Sequence, residues 1–159
     1  MDFNALDHEH FMRDALDEAA RAGLAGEIPI GAVIVHNGKI IGRGRARHNE
    51  RHSEIAHAEL NALLEAEMDI RDHIHDGIIL YTTVEPCVMC LGAVVMSDVD
   101  HIVFALYDGN IHPEQMLAMP FVRRHIRNYL GGILAAESLG LFRRFRREDI
   151  RFLSTDLSQ

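Results

Sequence analysis

The sequence predicts a layered α/β domain, and three observations carry that reading. A hairpin signal, Asn37-Gly38, lies between two strand-like runs. After it, helical and strand patterns alternate along the chain. The run 30–36 is continuously apolar and rich in Val and Ile, as expected of a strand covered on both faces.

Taken in order, Phe3, Leu6, Phe11, Ala15, Leu16 and Ala19 recur at helical spacing and predict a helix over about 3–24. Gly23 and Gly26 supply its stop signals. Strands are expected over 30–36 and 39–44, followed by a polar, Arg- and His-rich loop over about 45–54. Ala, Leu and Glu content predicts a helix over 57–67. A third strand is expected over 78–83, a helix from Pro86 to about Met96, and a fourth strand over 100–106. Residues 107–113 read as a loop and 114–127 as one helix or two short ones. A short fifth strand is expected over 127–130, then Gly131-Gly132 as a break and a last amphipathic helix over 133–147.

The chain has 159 residues, 48% of them hydrophobic, enough for one sizeable core and too few for two ordinary domains. One domain over 1–159 is therefore expected. The formal net charge of -8 disfavours a broadly electrostatic nucleic-acid binder, since affinity for phosphate backbones comes largely from cations. Basic residues do cluster locally, at Arg43, Arg45, Arg47 and Arg51 and at Arg143, Arg144, Arg146 and Arg147. The second group suits the negative end of the last helix. The opening residues form an acidic amphipathic segment unlike a cleavable signal, and no apolar run approaches the roughly 20 residues needed to span a bilayer. A reducing cytoplasm is expected, because the two cysteines must stay reduced to bind metal.

Those cysteines, Cys87 and Cys90, stand three apart directly after Pro86. Proline is favoured at a helix start, and residues i and i+3 share a helix face. The positive end of that helix favours thiolate, the metal-binding form. With His57 as a third ligand from elsewhere, the set suits a tetrahedral zinc whose fourth position stays open, as in catalytic sites. A Cys-x-x-Cys pair also reads as a redox couple, but a redox couple has no need of His57-Ala58-Glu59 some thirty residues upstream.

His57-Ala58-Glu59 and Pro86-Cys87-Val88-Met89-Cys90 fit the H-x-E…P-C-x-x-C pattern of zinc-dependent nucleobase deaminases. The chain resembles the cytidine deaminase-like superfamily over about 11–145. Residues 28–33, 56–59 and 80–90 are similar to the bacterial tRNA adenosine deaminases and to guanine and fungal-type cytosine deaminases. The resemblance implies a three-layer α/β/α fold with a mixed five-stranded sheet, one zinc per chain, and a homodimer. It implies His57, Cys87 and Cys90 as metal ligands and Glu59 as the proton shuttle. Ala58, Asn49 and Glu85 are the candidate substrate contacts. Zinc there would make water nucleophilic near neutral pH. Glu59 would then move protons from water to a ring nitrogen and to the leaving amine.

Two departures bear on the substrate. The tRNA enzymes usually place an asparagine eleven residues before the ligand histidine; here that residue is Ala46, and the nearest asparagine is Asn49. They also carry a Lys-, Gly- and Ser-rich loop after the fourth strand, where this chain has Tyr107-Asp108-Gly109-Asn110-Ile111-His112-Pro113. With the acidic charge, this favours a small nucleobase or nucleoside over tRNA as the substrate. Adenosine-to-inosine editing of tRNA is the second reading, and a catalytically silent partner subunit the third. Glu59 speaks against the third. His8, His10, His48, His52, His73, His75, His101, His112 and His125 show no ligand spacing and are expected at the surface. His48 and His52 stand apart, because their loop leads into the helix after His57. Phe142, Phe145, Met89 and Met96 read as packing residues.

Overall fold

The computed structural model describes residues 2–111 and 113–156. Helix α1 (His8–Leu24) is preceded by a 3-10 turn (Phe3–Ala5). The predicted first helix is thus divided, because the Asp7 carboxylate accepts from the His10 amide and caps α1 there. Strands β1 (Gly31–His36) and β2 (Lys39–Arg45) form the antiparallel hairpin. Asn37 and Gly38 both have positive φ, 48° and 73°, as its tight turn requires.

The loop expected over 45–54 contains one helical turn, α2 (His48–Arg51). Helix α3 (Ala58–Asp72) runs five residues beyond the expected end. Strand β3 (Ile79–Val84), helix α4 (Val88–Met96) and strand β4 (His101–Asp108) form a parallel crossover unit. The segment 114–127 resolves into α5 (Glu114–Ala118) and α6 (Pro120–His125), because Pro120 opens a new helix. Strand β5 (Asn128–Leu130) is present, and α7 (Ala135–Phe145) follows. A 3-10 turn (Arg147–Phe152) and the short strand β6 (Leu153–Ser154) were not legible in the sequence.

The strands form a mixed sheet in the order β2-β1-β3-β4-β5, and β6 adds to the end of β4. Alternation along each strand assigns its two faces. Val33, Val35, Ile79, Tyr81, Val103 and Ala105 pack with Phe11, Met12 and Ala15 of α1. Ala32, Ile34, Leu80, Ile102 and Phe104 pack with α3, α4 and α6 through Ala62, Ala66, Leu91, Val94 and Val122. This gives the three layers. Val84, Leu106, Ala135 and Phe142 close a smaller core under α7. No helix among the described residues is long and apolar enough to cross a membrane.

Several side chains depart from expectation. His101 is buried against Phe3 and meets Asn128, rather than facing water. Met96 is exposed rather than packed, whereas Phe142 is core as expected. His112 lies outside the described residues.

Candidate active site

Two helix starts converge beyond the carboxyl end of β3. His57 is the N-cap residue of α3 and Cys87 that of α4, both with extended backbone. Helix α4 therefore begins two residues later than Pro86 predicts. From the N-cap position the Cys87 side chain folds back over the first turn, where an N-cap and the residue three later meet. That residue is Cys90. The two positive helix ends both face the cluster, which favours thiolate there. The Glu85 amide donates to the Leu106 carbonyl at 2.8 Å and fixes the loop between β3 and α4.

His57 Nδ1 lies 3.7 Å from Cys87 Sγ and 3.5 Å from Cys90 Sγ. These three ligand atoms form the metal-competent cluster found among the described residues. With Zn–N near 2.0 Å and Zn–S near 2.3 Å, a tetrahedral zinc separates its N and S ligands by about 3.5 Å. The donor set and spacing thus fit zinc. Both cysteines are free thiols. Cys87 is pushed down to about 4 by Cys90, with His57 acting in the same direction, while Cys87 and burial push Cys90 up. His57 is raised, chiefly by its hydrogen bond with Cys87.

Glu59, in the first turn of α3, is only 4% exposed. Its Oε1 accepts from Thr82 Oγ1 at 3.3 Å and its Oε2 from Cys90 Sγ at 3.4 Å. Burial, the largest cause, raises its pKa above the ordinary carboxylate value.

A cavity of about 140 Å³ opens on this cluster, walled by Ala46, His48, Ala58, Val84, Glu85 and Asp108 among others. Ala58 and Glu85, expected as substrate contacts, line this cavity. Asn49 does not: its amide reaches the Gly26 carbonyl and the Glu27 carboxylate, at 3.3 Å each, and it is absent from the cavity wall. The reason is Glu27, a buried carboxylate that also accepts the Asn49 and Glu50 amides at 3.1 and 2.8 Å and draws the start of α2 toward itself. Ala46 stays in the wall, 1% exposed.

Glu27, Asn61, Thr82 and Tyr129 were not singled out by sequence. Asn61 donates to the Arg45 and Ala56 carbonyls and accepts from Arg51, which clamps the segment before His57. The Tyr129 hydroxyl donates to Glu85 Oε1 at 3.0 Å. No local pattern marks these residues; each acts through a partner distant in sequence.

The matching sequence pattern decides the family: residues 6–106 match the cytidine and deoxycytidylate deaminase zinc-binding region. The chain belongs to this deaminase family. It is 40% identical over 146 residues to a tRNA-specific adenosine deaminase of Bacillus subtilis, covering 88% of this chain and 89% of that one. The solved structure of a wobble-position tRNA deaminase studied for A-to-I editing superposes with a TM-score of 0.74 at 31% identity, covering 83% of this chain and 98% of that one. A guanine deaminase from Bacillus subtilis superposes with a TM-score of 0.59 at 35% identity, covering 65% of this chain and 66% of that one. Deaminases of this family are zinc-dependent hydrolases acting on C–N bonds, and His57, Cys87 and Cys90 lie together as one zinc site requires.

Proposed function

We propose that this deaminase acts on a free aminopurine, aminopyrimidine or related nucleoside, replacing its exocyclic amine by a carbonyl with release of ammonia. His57, Cys87 and Cys90 hold one zinc, which supplies the Lewis acidity that makes water nucleophilic near neutral pH. Glu59 takes a proton from the attacking water at Oε and passes it to the ring nitrogen beside the reacting carbon. It then takes a second proton, from the hydroxyl now on that carbon, and delivers it to the amine, so that the carbonyl forms as the C–N bond breaks, water is consumed and ammonia leaves. Burial of Glu59 excludes bulk water from these transfers. Ala58 and Glu85 bound the substrate in the cavity.

The observation that carries the substrate reading is the distribution of charge around the site. The cations of the loop beside the zinc residues are engaged within the chain: Arg43 with Asp14, Arg45 and Arg47 with Glu50, and Arg51 with Asn61. A second cavity of about 550 Å³ shares Glu85 and Asp108 with the first. Cations already engaged within the chain offer little to a phosphate, while Glu85 and Asp108 suit neutral, hydroxyl-bearing groups. Ammonia release across a panel of amino-heterocycles and nucleosides, with tRNA included, tests the reading. Turnover of a free base or nucleoside supports it. Inosine formed in tRNA with no turnover of the small substrates overturns it.

The similarity to the Bacillus subtilis enzyme favours a second reading, adenosine-to-inosine editing of tRNA. The same panel separates the two, and ammonia release from either excludes a silent partner subunit. A homodimer is supported by Leu64 and Met68 of α3 and Val88 and Met96 of α4, all large apolar residues left more than half exposed. A single reducing, cytoplasmic domain fits two cysteines that serve as metal ligands.

A further inference from the structure

His48, the first residue of α2, shares the small cavity wall with His57, Glu59 and Cys87. Its ring meets that of His57 edge-on, with centroids 5.1 Å apart and planes at 71°. Its Nδ1 is buried and has no hydrogen-bond partner among the described residues. A buried polar atom without a partner is costly and rare in folded proteins, and this one belongs to a side chain that lines the cavity.

Most of the other wall groups are apolar or already engaged. Ile28, Ile30, Ala46 and Val84 offer no polar side-chain atom. Glu85 is held by the Tyr129 hydroxyl and the Asp108 amide, and Asp108 Oδ1 by Asn110. Glu59 faces Thr82 and Cys90. The position of His48 is itself set: Glu27 holds the next two backbone amides, and the Ser53 amide donates to the His48 carbonyl at 3.0 Å. Ala46 beside it carries only a methyl group, which leaves room for an imidazole to reach a ligand.

We infer that His48 hydrogen-bonds the heterocycle in the cavity and is a specificity-determining residue of this site. Its ligand class is a planar heterocycle with a hydrogen-bonding ring atom or exocyclic group beside the reacting amidine. The inference rests on the deaminase reading. A neutral imidazole offers one donor and one acceptor, so loss of the ring nitrogens should change affinity and the ranking of substrates.

The test compares His48→Phe, which keeps a ring against His57, with His48→Asn and His48→Gln, which restore a polar atom near Nδ1 or Nε2. Zinc per chain, kcat/KM over the substrate panel, and calorimetric binding of the panel compounds to zinc-loaded protein in a Glu59→Ala background are measured. The expected result is full zinc in His48→Phe, a loss of about tenfold or more in kcat/KM with altered ranking, and recovery in one amide variant. Unchanged kcat/KM and ranking overturns the inference. Loss of zinc overturns it as well, because His48 would then only position His57. If the wild type releases ammonia from no compound, the deaminase reading has failed. Binding then decides for His48: weakening of about tenfold in His48→Phe upholds it, and equal or no binding overturns it.

Discussion

Gly44→Ala should disable this protein without touching a candidate catalytic residue. Helix α3, which carries Glu59 and is capped by His57, packs backbone to backbone on β2 at two glycines. At Gly42 an added Cβ would lie 2.5 Å from the Ala62 carbonyl oxygen and 2.7 Å from Ala66 Cβ. Ordinary contact begins at 3.4 Å, so α3 would have to withdraw by about 0.9 Å there. At Gly44 the Cβ would overlap the Ala58 carbonyl oxygen and the Ala62 amide nitrogen more deeply, and the required withdrawal is at least as large. Overpacking costs typically about 1–3 kcal/mol, and contacts with helix backbone relax poorly, so about 3 kcal/mol is expected for either variant. The two differ in their effect on chemistry. Ala58 adjoins both His57 and Glu59, and misplacement by about 1 Å can cost about 10²-fold in rate. Denaturant titration and kcat/KM should show similar destabilisation in both variants, with a much larger activity loss in Gly44→Ala. Wild-type stability in Gly44→Ala, or equal activity losses in the two, would refute this account.

Glu59→Ala should retain zinc while losing turnover by about 10² to 10⁴ or more, since a positioned general acid–base contributes about that much and this one serves several transfers; metal analysis and single-turnover rates check both parts. Cys87→Ser or Cys90→Ser should lose both metal and activity, and chelation of the wild type should lower its Tm, because hydroxyl is a far poorer zinc ligand than thiolate and bound metal contributes to folding. Acid should destabilise the fold through His8 and His101, whose pKa values are both lowered chiefly by burial. Their folded values lie below the ordinary 6.5, so the stability they contribute is complete above about pH 6.5 and is lost as pH falls through the folded values. Denaturation midpoints of the wild type should therefore fall below pH 6.5, and a His8→Gln, His101→Gln variant should show a shallower decline over that window.

The metal chemistry was legible because it rests on local spacing. Cys87 and Cys90 meet through one helical turn, and His57 and Glu59 leave α3 from its first turn, so short motifs carry the geometry. The strands and their order of types were legible for a similar reason, since Asn37-Gly38 and the apolar runs are local signals. What holds the surrounding segment was not. Glu27 caps α2 from another part of the chain, and nothing in its neighbourhood marks it as a buried acceptor. Asn49 looked like a substrate contact because it was the nearest asparagine to Ala46, yet Glu27 turns its amide away from the cavity. The sequence left 114–127 open as one helix or two, and the break falls at Pro120, whereas β6 is a two-residue strand whose pairing to β4 leaves no periodic trace.

The way the cavity wall is fastened also bears on how substrates are chosen. The segment from Ala46 to His57 is pinned from three sides. The Ala46 amide donates to the Ile30 carbonyl and the Arg47 amide to the Ala56 carbonyl, both at 3.0 Å. Glu27 takes two backbone amides of α2, and Asn61 spans the Arg45 and Ala56 carbonyls. A wall with this many backbone hydrogen bonds opens only at considerable free-energy cost, so it acts as a fixed surface rather than a closing lid. The opposite side differs in kind: Asp108 and Glu85 separate the zinc cavity from the larger one, whose far walls come from the segment after β4 and the C-terminal 3-10 turn. The rigid side presents His48 and the small Ala46 to the cavity. On that basis, substitutions at 46 and 48 should change which base is accepted.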